Sequence, residues 1–134
     1  MNPLINCSTP QKTAIIATFV SLCKLEPNNI STKEIEFVKK IAVEINFDID
    51  LTLLKLTDKL GENDRLLLLN SLAEKHKEYF LLLINVMSEI DPFHGDWSGK
   101  SRFPVNLAKN IGITEENSER ILKEAVKYLI NMTY

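Results

Sequence analysis

Apolar residues recur at a helical period along this chain, which leaves little room for any other fold class. Val38, Ile41, Ala42 and Ile45 keep i, i+3, i+4, i+7 spacing; Ile121, Leu122, Ala125, Val126, Leu129 and Ile130 recur in adjacent pairs one turn apart. Side chains so spaced share one face of an α-helix. Strand-rich folds need frequent turn residues, yet the 134 residues include only four Gly and five Pro. The length suits one domain with a real core. The expectation is an all-α, single-domain bundle of about seven helices, with 1–9 as an N-terminal tail and 10–134 as the helical domain.

Local signals place the helix ends. Thr9 and Pro10 open the first helix, since proline at a first helical position loses no hydrogen bond. Ser31-Thr32-Lys33-Glu34 is a capping box, flanked by Ile30 and Ile35 as a hydrophobic staple. A third helix is predicted over 50–60, with Gly61 ending it in the left-handed conformation. Asn63 or Asp64 opens a long stretch reaching Ile90, with a break at the polar run Glu74–Glu78. Ser101 is expected to cap the next helix, which puts Pro104 in its first turn, and Gly112 to end it. Thr114 caps the last helix, with Glu115 and Glu116 near its positive end.

Composition excludes several function classes. Net charge is −2, with 45% hydrophobic and 25% charged residues, so there is no basic field for nucleic acid. No basic amphipathic face suggests a membrane surface. The apolar run Ala14–Leu25 is too short to span a bilayer and reads as a buried helix. Cys7 and Cys23 form no CxxC pair; Cys23 lies on an apolar face, where a reduced thiol packs as a small hydrophobe, and the cytoplasm is the expected compartment. His76 sits in a charged, solvated run. With no Gly-rich phosphate loop and no assembled nucleophile set, no enzyme is expected.

The chain also resembles itself. Leu25-Glu26-Pro27 and Ile90-Asp91-Pro92 both read apolar, acidic, proline, at an offset of 65. At an offset of 66, Phe37, Ile41, Ala42, Ile45 and Phe47 align with Phe103, Leu107, Ala108, Ile111 and Ile113. Self-similarity at one period is usually architectural. Two pseudo-symmetric helix–acidic-loop–helix halves are therefore expected.

On these residues the chain resembles the TerB-like family, helical domains named after a tellurite-resistance protein. The first half reads Glu26-Pro27-Asn28-Asn29-Ile30-Ser31-Thr32-Lys33-Glu34, the second Asp91-Pro92-Phe93-His94-Gly95-Asp96-Trp97. Glu26 replaces the family's usual Asp, Asn28-Asn29 its Gly-Glu pair, and Lys100 aligns with Glu34. The resemblance implies a non-enzymatic module tied to stress or to metal and tellurite response.

The second acidic loop is the candidate site. Asp91, His94 and Asp96 supply carboxylates and an imidazole suited to a divalent cation, and Glu26 joins them only if the two halves bring both loops together. In the bland reading, Asp91 starts a turn and His94 to Asp96 form a solvated tip. Phe93 and Trp97 flank this tip as candidate anchors for another protein. The alternative reading is therefore an adaptor or regulatory interaction domain, such as a phage-defence or toxin-immunity component, with no metal.

Overall fold

In the computed structural model the described residues are 2–23, 32–48, 61–89 and 98–133, and they form six α-helices, one 3-10 turn and no strand. The helices are α1 (Thr9–Cys23), α2 (Thr32–Glu44), α3 (Glu62–Asn70), α4 (Glu74–Glu89), α5 (Ser98–Asn110) and α6 (Glu115–Thr133). The helix predicted over 50–60 lies outside the described residues. The chain is an all-α single domain.

Two helices form the centre. On α1 the apolar residues surround the axis, so Ile15, Ile16, Phe19 and Leu22 are all fully buried. On α4, Phe80, Leu81, Leu83 and Ile84 are equally buried. The Phe19 ring meets Phe37 of α2 edge-on at 6.2 Å and Phe80 of α4 at 5.8 Å. One aromatic ring thus ties three helices, and each such buried side chain stabilises the fold by about 1.5–3 kcal/mol. Around this core α1 packs against α2, α3 and α4, while α4 also packs against α5 and α6.

The helix starts differ from several sequence expectations. The cap of α1 is Ser8 rather than Thr9. Gln11 donates its N–H to Ser8 Oγ (3.2 Å), and Ser8 donates its own to Gln11 Oε1 (2.9 Å). That reciprocal pair satisfies two orphan donors, which a lone Thr9 hydroxyl does not. Gly61 does not end a helix in the left-handed region. It has φ −61° and ψ 150° and precedes α3, whose first turn carries Glu62 and Asp64 where the helix dipole favours acids. The break before α4 falls at 71–73, ahead of the polar run, because Ser71 closes α3. Its Oγ donates to the Leu68 carbonyl, and its N–H to the carbonyls of Leu67 and Leu68. Helix α5 starts at Ser98 instead of Ser101, so Pro104 lies in its second turn. The missing N–H there removes one bond close to the helix start. Capping of α6 follows the expectation: the Asn117 N–H donates to Thr114 Oγ1 (3.2 Å).

The first residues, expected as a tail, fold onto the core. The Leu4 N–H donates to Asn2 Oδ1 (3.0 Å), Leu4 is fully buried, and Asn2 Nδ2 donates to Glu44 Oε1 (3.0 Å). In the capping box ahead of α2, Glu34 is buried, whereas Ser31 and Ile30 lie outside the described residues.

Helices α2 and α5 end in the same motif. After α2, the Phe47 N–H donates to the Ala42 carbonyl (2.8 Å) and the Asn46 N–H to that of Val43 (3.1 Å). After α5, the Ile113 N–H donates to the Ala108 carbonyl (2.9 Å) and the Gly112 N–H to that of Lys109 (3.3 Å). Each end has one residue at positive φ, Asn46 at 59° and Gly112 at 79°. These are Schellman closures, in which a left-handed residue lets the chain return two N–H groups to the last turn. The buried residues correspond as well: Ile41, Ala42 and Ile45 match Leu107, Ala108 and Ile111.

Candidate functional site

A groove of about 270 Å³ lies between α5 and α6, floored by α4. Its apolar walls are Pro104, Val105, Ala108, Ile113 and Leu122, with Lys109, Glu115 and Glu119 among its charged lining. Two sequence features create it. Pro104 and Ala108 put compact side chains on the α5 wall, between Val105 and Lys109. The apolar stripe of α6 is also wider than the core can cover. Ile121 and Ala125 are buried against the bundle, but Leu122, Val126 and Ile130 are 45%, 48% and 53% exposed. These three stand one turn apart and form a ridge running from the groove along α6. Val105, 52% exposed, adds to it from α5.

At the base lies Asn85, only 6% exposed. Its Nδ2 donates to the Leu81 carbonyl one turn back (3.0 Å), and this fixes the amide orientation, because a carbonyl can only accept. Its Oδ1 accepts no hydrogen bond from any described residue. The sequence signal for this residue is its place as the lone polar side chain in the run Leu81-Leu82-Leu83-Ile84-Asn85-Val86-Met87. The exposure of Leu122, Val126 and Ile130 was not visible, since their spacing matches that of core residues.

A second constellation joins distant parts of the chain. Cys7 Sγ lies 3.6 Å from His76 Nδ1. Burial pushes the Cys7 thiol pKa up, with Lys12 acting the other way. An activated nucleophile needs the opposite shift, toward thiolate. The contact therefore serves as a thiol–imidazole link between the N-terminal segment and the first turn of α4. On the far side of α4, Arg120 bridges Glu78 and Glu124 beside Tyr79, an exposed ion-pair cluster of little energetic weight.

The site residues read from the sequence, Glu26, Asp91, Phe93, His94, Asp96 and Trp97, all lie outside the described residues. So does the Cys23 side chain, and so does that of Phe103, the repeat partner of Phe37. Among the described residues, no group of three or more His, Cys, Asp or Glu is placed to hold a metal ion. No described helix is long and apolar enough to cross a membrane. No protein-family model matches the chain, and no curated protein or solved structure is found to be similar to it. The TerB-like resemblance thus rests on its short motifs alone.

Proposed function

We propose that this chain is a non-enzymatic helical interaction module that binds a protein partner along the α5–α6 face. The observation that carries this reading is the uncovered ridge Leu122, Val126 and Ile130, continuous with a groove that has a polar floor. Apolar side chains in line on one helix cost solvation unless something covers them, and such patches mark interaction sites. The experiment compares wild type with Val126→Glu by affinity capture from source cells and by thermal melting. A specific partner retained by wild type and lost by the variant at unchanged Tm is expected. Identical recovery with both proteins would remove the reading.

We further propose that the fold is a duplication, with α1–α2 and α4–α5 as equivalent helix pairs. The matched Schellman closures and matched buried positions at an offset of 66 support it. This organisation also favours a second functional reading, the TerB-like module of stress or metal response. Its cation ligands would be Asp91, His94 and Asp96, with Glu26. Calorimetric titration with calcium, magnesium, manganese and zinc tests it: no heat at millimolar metal makes those side chains structural.

A further inference from the structure

The duplicated positions diverge where the groove lies. Asn85 stands 65 residues after Val20, and both are 6% exposed. Val105 stands 66 residues after Lys39, and both lie on the surface. In the first half the central helix is apolar there and the outer helix charged; in the second half the polarity is inverted. The groove thus presents one hydrogen-bond acceptor, Asn85 Oδ1, beneath an apolar rim. It is favourable for receiving a side chain that is apolar over most of its surface and donates one hydrogen bond.

Resting on the interaction reading above, we propose that the groove takes the tryptophan side chain of a basic amphipathic helix in a partner protein. Indole matches the floor: it has one N–H donor and no acceptor, so bonding to Asn85 Oδ1 leaves none of its polar atoms unsatisfied. The volume of about 270 Å³ is below the range of about 300–1,000 Å³ usual for small-molecule sites, and suits one large side chain. Glu115 and Glu119 outnumber Lys109 in the lining, which favours a cationic partner over an acidic one. The ridge continues from Leu122 to Val126 and Ile130 and accepts further apolar residues one turn apart, as in helix-in-groove recognition.

The test uses the full chain and a fluorescein-labelled, 18-residue Leu/Lys amphipathic peptide with one central tryptophan, beside its Trp→Phe counterpart. Anisotropy should show the tryptophan peptide binding about tenfold more tightly, the worth of one buried hydrogen bond. In Asn85→Val that ratio should fall to about one, with the phenylalanine peptide bound as before. Glu115→Gln with Glu119→Gln, both at exposed positions, should weaken both peptides alike and flatten the salt dependence. Equal affinity for the two peptides in wild type, or a ratio unchanged in Asn85→Val, overturns the indole assignment. If Val126→Glu still abolishes partner capture in that case, the interaction reading survives without it. If sedimentation shows a dimer that Val126→Glu dissociates, a second copy occupies the face and the proposed partner is wrong. If neither peptide binds wild type and Val126→Glu does not affect capture, both proposals fall.

Discussion

At the end of α2 the closing turn carries Asn46 at positive φ, and Asn2 of the N-terminal segment reaches over to bond Glu44. At the end of α5 the same hydrogen bonds form around Gly112, but Ala108, Lys109 and Ile113 of that turn line an open groove. Local chemistry makes the two ends alike, because a Schellman closure needs only a left-handed residue and an apolar residue after it. Surroundings make them different. At α2 the N-terminal segment bonds to the last turn; at α5 the exposed ridge of α6 runs past it.

The strongest test of this equivalence is truncation in the core. Ile45→Ala and Ile111→Ala remove fully buried side chains at matched positions. Each should cost about 2–5 kcal/mol in urea denaturation. A near-zero cost at either position would break the equivalence between the two halves.

Exchanging the floor residues sharpens the difference instead. Val20→Asn buries an amide among the apolar side chains of α1 and should cost about 2 kcal/mol. Asn85→Val should be near neutral, since the Leu81 carbonyl keeps its place in the helix ladder and Asn85 Oδ1 bonds no described residue. If Asn85→Val were as damaging as Val20→Asn, Asn85 would be a structural residue, and the groove would lose its distinguishing feature.

Smaller effects are expected at the closures. Gly112→Ala should cost about 1 kcal/mol, wholly from its φ of 79°, because an added Cβ there meets nothing within 4 Å. Asn46→Gly should gain up to about 1 kcal/mol at φ 59°, since glycine takes the left-handed region without strain. Opposite signs in thermal melts would show that the two turns share one backbone requirement.

The smallest effect concerns the N-terminal segment. The pKa of Cys7 is raised above its ordinary value of 9.0, mainly by burial. The folded state therefore holds the proton more tightly than the unfolded chain does. That contribution is complete below pH 9.0 and is lost as pH climbs through the folded-state value. Wild type should lose Tm gradually above pH 9.0, with a shallower slope for Cys7→Ala. Tyr79 and Tyr128, also raised by burial, add to the loss only above their ordinary value of 10.0. Parallel slopes for wild type and variant would show that the thiol adds nothing to this contact.

Legible in the sequence were the helical class, the two central helices, the closure of α5 and the start of α6, because these depend on periodicity and on local chemistry at Gly112 and Thr114. Boundaries set by competition between neighbours were not legible. Ser8 takes the first cap through Gln11, and Ser71 ends α3 ahead of the polar run Glu74–Glu78. Tertiary structure alone decided the candidate site. Ile121, Leu122, Ala125 and Val126 look interchangeable in sequence, yet the first and third are buried in the bundle while the second and fourth are exposed. A helical period defines a stripe; how much of that stripe is covered depends on the width of the surface packed against it. Likewise Cys7 and His76 meet across 69 positions of sequence, and only the folding of the N-terminal segment onto α4 brings them together.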